Sequence, residues 1–225
     1  MLQFDIITIF PEVFQRYFNT SIISRARKKG LIKIKLHNLR DFTEDKHKTV
    51  DDRPFGGGPG MVLKVGPIFK ALKSIEKDNN SYKVLLTPKG QQFSQQKAKK
   101  LSKKKRITLI AGRYEAFDAR VNHFIDDKIS IGPYILTGGE LPAMITVDAV
   151  CRLVPQVIKA KSLKQETYSL NTDKNEKVIE YPQYTRPEIF KYKDKKKNIH
   201  KLKVPKVLLS GNHKKIKEWK EKHAH

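Results

Sequence analysis

Short apolar segments alternate with polar and amphipathic segments along the first two thirds of the chain. Residues 2–10 form an apolar run rich in Ile and Phe that Pro11 ends, which predicts a buried strand. A helical segment that closes with cations and Gly30 follows, and residues 31–37 then alternate like a half-buried strand. This order predicts an α/β fold, in which a mostly parallel sheet carries helices on its faces.

Further segments of both kinds continue the pattern to about residue 154. Strands are predicted over 83–87, 106–112 and 128–132, and helices over 67–77, 94–105, 117–125 and 140–154. Residues 41–60 match neither the helical nor the strand periodicity, because they form a long polar segment rich in glycine. Loops of this length are usually functional or mobile.

The chain changes character after residue 158. We predict an α/β domain over 1–158, a Lys-rich polar linker over 159–180 and a small, mainly helical and basic domain over 181–225. Within the small domain, the pattern predicts an apolar strand at 203–211 and a short helix at 212–222.

Charge is the strongest signal in the composition. The 225 residues carry 47 Lys and Arg against 23 Asp and Glu, a formal net charge of +24, and residues 161–225 alone carry 18 basic and 8 acidic residues. Such a balance favours polyanionic partners, above all nucleic acids. A composition bias of the whole genome towards lysine explains the excess equally well.

Several functional classes are excluded by what the sequence contains. The single cysteine, Cys151, cannot form an intramolecular disulfide framework or a multi-cysteine metal site, and it lies in an apolar helix that suggests a core position. No segment approaches the roughly 18 apolar residues of a membrane span, and the first ten residues lack the basic start of a secretory signal. We therefore expect a cytoplasmic protein with no membrane partner.

Three loops that follow predicted strands are rich in Gly and Pro. They cover residues 85–90, 111–118 and 130–142. Ligands of open α/β sheets bind at the carboxyl ends of strands, and glycine lets a ligand approach the backbone. Each loop alone is more often a tight turn than a ligand site, but three on successive strands favour a ligand site. None contains the GxGxxG or GxxxxGK[ST] fingerprint of nucleotide-binding folds.

Other candidate sites carry weaker signals. Residues 56–60, GGGPG, could cradle a phosphate through backbone amides, yet a flexible lid explains them as well. The seven histidines show no metal-ligand spacing, so no metal is predicted. No GxSxG segment is present for a serine nucleophile.

Six motifs, in order along the chain, resemble the bacterial tRNA (guanine-37-N1)-methyltransferase family, TrmD. They are VDDRPFGGGPGM (50–61), LTPKG (86–90), GRYE (112–115), SIGPYILTGGELPAM (130–144), YPQYTRPE (181–188) and LLSGNH (208–213). The resemblance implies a SPOUT-type parallel sheet with a trefoil knot in its C-terminal part, an exception to the rule that chains are not knotted. It also implies a homodimer with shared active sites and a C-terminal domain that grips tRNA.

The same resemblance implies that the three Gly-rich loops bind S-adenosyl-L-methionine. The cofactor-binding residues carried over are Leu85, Leu86, Thr87, Pro88, Gly112, Tyr114, Glu115, Ser130, Ile131, Gly132, Tyr134, Leu136, Gly138, Gly139 and Pro142. Asp51, Arg53 and Phe55 of the 51–60 segment are assigned to contact with the target base, since enzymes that modify a base draw it out of its stack.

The reaction itself requires a general base. Guanine N1 carries a proton at neutral pH, and its loss pushes negative charge onto O6, which a cation would stabilise. Arg152 matches the family arginine for the second role, although a surface or ion-paired arginine is the simpler alternative. The family linker reads S-L-x-E-D-S-F-S, whereas residues 162–169 read SLKQETYS, which puts Glu166 at the position of the proposed base. A shifted register would put Thr167 there, and Asp173 is then the fallback.

Two smaller departures and two rival functions stay open. Ala116 stands for the usual Gly after GRYE, and Pro133 for the usual Asp after SIG. One rival is a methyltransferase of the same fold that acts on another RNA. The other is a catalytically impaired RNA-binding protein that kept the fold but lost its base.

Overall fold

The computed structural model describes residues 1–75, 80–159, 163 and 181–224. Two compact units make up the chain, Met1–Ala160 and Lys161–His225, and each is considered by itself. Most of the predicted linker at 159–180, including Glu166, Thr167 and Asp173, lies outside the described residues.

Ten strands occur in the described residues. They are β1 (Leu2–Thr8), β2 (Ile32–Asn38), β3 (Asp51–Asp52), β4 (Val62–Leu63), β5 (Tyr82–Gln92), β6 (Arg106–Ala111), β7 (Ala116–Phe117), β8 (Asp127–Ser130), β9 (Ile189–Lys193) and β10 (Ile199–Lys203). Five of them form a sheet in the order β2-β1-β6-β5-β8, and every neighbouring pair in it is parallel. The predicted α/β class with a mostly parallel sheet is confirmed.

The described helices follow the strands as expected for this class. They are α1 (Gln15–Phe18), α2 (Ser21–Lys28), α3 (Val65–Ile75), α4 (Gln95–Leu101), α5 (Glu140–Cys151), α6 (Lys206–Leu209) and α7 (His213–Lys222), with 3-10 turns at Pro11–Phe14, Leu39–Phe42 and Ala119–Phe124. Ser94 caps α4, since its hydroxyl accepts from the Lys97 N–H.

The central sheet is buried on both faces, which explains the continuous apolar runs of its strands. Successive residues of a strand point to opposite faces, so Phe4 and Ile6 join one cluster while Ile7 joins the other. The first cluster includes Val147 and Val150 of α5, with Cys151, and the second includes buried residues of α3. Cys151 is fully buried, and burial raises the pKa of its thiol to about 12.

Three sequence predictions differ from the observed elements. Strand β5 does not end before the loop at 85–90 but continues to Gln92, with a shift of register between Leu86 and Gln91. The helix predicted over 117–125 is a 3-10 turn preceded by the short strand β7. The apolar strand predicted over 203–211 is wrong, because its centre forms helix α6 after Pro205.

The second unit contains a hairpin besides its helices. Strands β9 and β10 pair antiparallel, an element that the prediction of a mainly helical domain did not contain. Asn212 caps the start of helix α7, since its side chain accepts from the Lys215 N–H. Trp219 of this helix lies against Tyr184 and His223, with ring centroids 6.2 Å and 4.3 Å away. Trp219 and His223 are half-buried, whereas Tyr184 is exposed.

Candidate functional site

Two of the three predicted ligand loops meet through their backbones. The Gly139 N–H donates to the Gly112 carbonyl oxygen at 2.7 Å, and Arg113 pairs with Gly138 in an isolated β-bridge. A Cβ on Gly139 would lie 2.6 Å from the Gly112 nitrogen and 2.7 Å from Ala111 Cα, which no real side chain tolerates. Glycine is therefore required at 139 for the loop after β8 to approach the end of β6.

An ion pair between half-buried Arg113 and buried Glu140 connects the same two loops. Arg113 donates from Nε to Glu140 Oε2 at 2.9 Å, and the Thr8 hydroxyl donates to Glu140 Oε1 at 2.9 Å. The Arg113 guanidinium also lies over the Phe10 ring, 4.8 Å from its centroid. Glu140 opens α5, where a negative charge interacts favourably with the helix dipole. The carboxylate thus ties the ends of β1 and β6 to the start of α5.

The third loop is joined to the loop after β8 along the sheet. Strand β5 pairs with β8 on both sides of its register shift, and Phe93 N–H donates to the Ser130 carbonyl at 2.7 Å. Gly90 approaches β8 so closely that a Cβ there would lie 2.5 Å from the Ile129 nitrogen. The residues between Leu86 and Gln91 therefore form a bulge held against β8, rather than a free turn.

The fifteen predicted cofactor residues lie on these three joined loops and their strands, and they divide by exposure. Buried ones are Leu85, Leu86, Ser130, Gly132, Gly139 and Pro142, and half-buried ones are Thr87, Gly112, Ile131, Leu136 and Gly138. Pro88, Tyr114, Glu115 and Tyr134 are exposed. The Ser130 hydroxyl donates to the Gly132 carbonyl at 3.0 Å, which fixes the turn after β8. Tyr114 has a left-handed φ of +63°, a conformation that turns the chain sharply.

The segment assigned to the target base starts beside one of these loops. Strands β3, β4 and β7 form a small sheet in which Asp51 pairs with Leu63 and Val62 pairs with Ala116. The Glu115 N–H also donates to the Met61 carbonyl at 3.1 Å. The small sheet therefore joins both ends of the 51–61 segment to the loop that follows β6.

The three residues predicted for base contact differ in exposure. Asp51 is half-buried, Arg53 is exposed, and the Phe55 ring is fully exposed at 101%. Four glycines of the GGGPG stretch have positive φ, between 78° and 116°. An exposed aromatic ring on a glycine-rich segment is suited to contact with a partner rather than with the core.

Of the two predicted catalytic residues, Arg152 is among the described residues. Arg152 is half-buried and caps the end of α5, where its N–H donates to the Asp148 carbonyl at 3.2 Å. Glu166 lies outside the described residues. Sequence reasoning missed Thr8, Arg113 and Glu140, because their connection spans up to 132 positions. Arg113 and Glu140 did stand inside two of the quoted motifs.

A cavity of about 410 Å³ lies beside this region. Its lining includes Lys89, Gly90, Gln91, Asp127 and Lys128, none of which is among the fifteen cofactor residues. In the described ranges, no group of three or more His, Cys, Asp or Glu side chains is arranged to hold a metal ion. Among the described helices we find none with the length and apolar character that crossing a bilayer requires.

Comparison with known proteins gives one consistent result. Residues 2–225 match the family described as tRNA (Guanine-1)-methyltransferase TrmD. A tRNA (guanine-N(1)-)-methyltransferase of Dictyoglomus turgidum is 51% identical over 225 residues, which cover 100% of this chain and 85% of that protein. Proteins of the same name from Thermosipho melanesiensis and Mycoplasmopsis synoviae are 49% and 47% identical, over 99% and 98% of this chain and 85% and 91% of theirs.

Proposed function

Since the chain belongs to the tRNA (guanine-1)-methyltransferase family TrmD, we propose that it transfers a methyl group from S-adenosyl-L-methionine to guanine N1 at position 37 of tRNA, immediately 3′ of the anticodon. The family match over residues 2–225 carries this proposal. The joined loops after β6 and β8 support it, because they offer backbone groups at the carboxyl ends of parallel strands.

The loop residues fit S-adenosyl-L-methionine chemically. Backbone amides and carbonyls of these loops suit a flat heterocycle, and Leu136 and Pro142 add apolar surface. The exposed carboxylate of Glu115 suits a positively charged ligand. When bound, the cofactor supplies a methyl group on a positively charged sulfur. The fifteen residues above are the ones that would hold it.

Glu166 is our candidate for the general base. Its carboxylate would take the N1 proton of guanine as the new N1–C bond forms and the sulfur–carbon bond breaks. The sulfur keeps the electron pair of the broken bond, and the proton ends on the carboxylate. A glutamate performs the same proton transfer as the aspartate usual in the family, with one additional methylene group to accommodate.

Arg152 is our candidate for stabilising the charge on O6. As the N1 proton leaves, negative charge develops on O6, and a guanidinium near that oxygen lowers the barrier. The position of Arg152 at the end of α5 supports this role, since the same helix begins at the Gly139–Glu140 junction of the cofactor loops. Helix α5 would then hold the arginine at a fixed position relative to the methyl donor.

Asp51, Arg53 and Phe55 are proposed to hold the flipped guanine. Their segment is anchored at both ends to the loop after β6, and its exposed Phe55 ring suits stacking on a base.

We also propose that the loops after β5, β6 and β8 form the trefoil knot of the SPOUT fold. The close backbone approach of Gly139 to Gly112 and Ala111 supports this, because the chain after β8 returns past the end of β6. The corresponding domain limits are 1–158 for the knotted domain, 159–180 for the linker and 181–225 for the tRNA-binding domain.

A homodimer in the cytoplasm is the assembly we propose. Helix α5 is apolar on every side, yet Leu141 and Ile145, one turn apart, are 56% and 43% exposed. A helix that is hydrophobic all round is normally buried, so a second copy is the simplest cover for this face. A monomeric mass in sedimentation equilibrium would contradict the dimer. The tRNA substrate and the lone cysteine suit the cytoplasm.

The deciding experiment is transfer of a labelled methyl group to an unmodified tRNA transcript with guanine at position 37. A second transcript with adenine there serves as control. We expect label on the guanine transcript alone. Label on neither transcript, with cofactor still bound, would favour the impaired RNA-binding protein. Label on ribosomal RNA instead would favour another RNA substrate.

The base is tested with Glu166→Gln in single-turnover methyl transfer. Removal of a general base slows catalysis by roughly 100- to 10,000-fold, which is the decrease we expect. Glu176→Gln, a second glutamate of the same segment, is the matched control and should keep the wild-type rate. Loss of activity in Asp173→Asn, with Glu166→Gln fully active, would assign the base to Asp173.

A further inference from the structure

The hairpin formed by β9 and β10, residues 189–203, is exposed on both faces. Every residue of its two strands is exposed, including the large apolar side chains Ile189, Phe190, Tyr192, Ile199 and Leu202. Antiparallel sheets ordinarily pack at least one face on a core, and an isolated two-stranded hairpin is marginally stable in water. Ten exposed strand residues of this kind therefore suggest that a partner contacts the hairpin.

One face of the hairpin is an aromatic platform. Phe190 and Tyr192 alternate along β9 and stack with centroids 6.1 Å apart at 22°. Across the strands Tyr192 pairs with His200, with the rings 5.1 Å apart at 20°, and Phe190 pairs with Leu202. Three nearly parallel rings in a row present flat, exposed surface with the spacing that stacking of planar groups needs.

The opposite face carries lysines that no acidic residue of the hairpin offsets. Lys191 pairs directly with Lys201, an arrangement of like charges that destabilises a sheet. Residues 189–203 contain seven lysines and a single acidic residue, Asp194. Asp194 is committed to the turn, because its carboxylate accepts from the backbone N–H groups of Lys196 and Asn198 and contacts His200 Nε2 at 3.0 Å.

We propose that the 189–203 hairpin is an RNA-binding element, in which the Phe190–Tyr192–His200 face stacks unpaired bases and the lysines contact phosphates. The proposal rests on the proposed function, since the tRNA substrate is the RNA it binds. Aromatic side chains that stack bases, flanked by cations, are how proteins bind single-stranded RNA. A protein partner is disfavoured because protein interfaces are depleted in lysine.

Two double variants separate the two faces. Phe190→Leu with Tyr192→Leu keeps apolar bulk but removes the rings, and Lys191→Gln with Lys201→Gln removes the facing charges. Lys33→Gln with Lys35→Gln is the matched control, because these lysines are also exposed, alternate along an edge strand and remove the same charge. Affinity for a labelled tRNA transcript is measured across a salt titration, and methyl-donor affinity reports on the other unit.

The two faces should give different signatures. Loss of stacking weakens binding by roughly 5- to 150-fold per base, so the ring variant should lose affinity with an unchanged salt slope. Each lost phosphate contact lowers the slope of log affinity against log salt by about 1, so the lysine variant should lower it by up to about 2. Methyl-donor affinity should stay at the wild-type value in both, and the control should change neither quantity.

Three outcomes would overturn the proposal. Wild-type tRNA affinity and salt slope in both hairpin variants would show that the hairpin does not contact RNA. An equal loss of tRNA affinity in the control variant would mean that the total charge of the protein, and not the hairpin, determines the affinity. A changed oligomeric mass in the hairpin variants, with tRNA affinity intact, would assign the face to a protein contact. All three leave methylation by the wild type intact, whereas failure of the proposed function abolishes it.

Discussion

The unit Met1–Ala160 pairs its buried carboxylates, those of Asp5 and Glu140, with basic side chains, whereas the unit Lys161–His225 leaves lysine facing lysine on an exposed hairpin. Asp5 of the first unit is fully buried and contacts His37 Nε2 and Arg106 Nε, each at 2.7 Å. Lys191 and Lys201 of the second unit pair across two strands that are exposed throughout. Charged side chains thus have different surroundings in the two units.

Burial explains the difference. An unpaired charge inside a protein costs several kcal/mol, so the first unit tolerates buried carboxylates only with partners. In the second unit none of the described residues 181–224 is buried, and exposed like charges repel by only a few tenths of a kcal/mol. Lysines there can stay available for a polyanion. In the first unit buried charges are paired, whereas the exposed lysines of the second unit are the ones that we propose to bind RNA.

The largest effect should come from forcing apart the two loops that meet at Gly139 in the first unit. Gly139→Ala forces a Cβ against the backbone of Gly112 and Ala111, so the loops must separate. Because a misplacement of about 1 Å can cost roughly 100-fold in rate, we expect methyl transfer to fall at least that far. Gly66→Ala is the control, since a Cβ there meets nothing within 4 Å. Equal activities would refute the contact between the loops.

A smaller effect is expected from Asp5→Asn, which removes the buried negative charge. The loss should be about 2–3 kcal/mol in the free energy of unfolding, measured by urea denaturation. Asp41→Asn is the surface control, because the exposed Asp41–Lys48 pair at 4.0 Å contributes at most about 1 kcal/mol. Similar losses in both variants would contradict the difference between buried and exposed charges.

Acid should remove the contribution of Asp5. Burial by itself raises the pKa of this carboxyl, but hydrogen bonds from His37, Arg106 and Gln3 outweigh it and lower the pKa. Its stabilisation is therefore present above the unfolded value of about 3.9 and is lost as pH falls through the lower folded value. The difference between wild type and Asp5→Asn should shrink below about pH 4. If the difference in unfolding free energy between wild type and Asp5→Asn grew as the pH fell, folding would raise the pKa of Asp5 instead of lowering it.

The smallest effect belongs to a surface ion pair of the second unit. Glu221→Gln removes the partner of Lys217, whose Nζ lies 3.8 Å away on α7. We expect a change of at most about 0.5 kcal/mol in unfolding free energy. Binding of tRNA at low salt should tighten slightly, since one negative charge is removed. A loss above about 1 kcal/mol would mean that charges stabilise this unit as they do the first.

Local patterns predicted the central sheet well and the second unit poorly. Strands such as β1 and β6 are mostly apolar and almost entirely buried, and their sequence pattern therefore favours a strand inside the sheet. The sequence pattern does not predict the hairpin, because the lysines of this segment resemble a run of charge. A signal existed, since apolar residues and Lys alternate along both Ile189–Lys193 and Ile199–Lys203. The four-residue helix α6 was predicted as a strand because so short an apolar run fits either period.

The sequence by itself determined the order of the central strands and main helices of the first unit, the excess of positive charge and the six motifs that identify the family, because each is written in neighbouring residues. Only the tertiary structure decided which loops meet. The Gly139–Gly112 contact and the Thr8–Glu140–Arg113 cluster join residues that are far apart in the chain. Their contact depends on the order of strands in the sheet and on the path of the chain after β8. No local hydrophobic period encodes that path, since the period reports burial and not the neighbour that provides it.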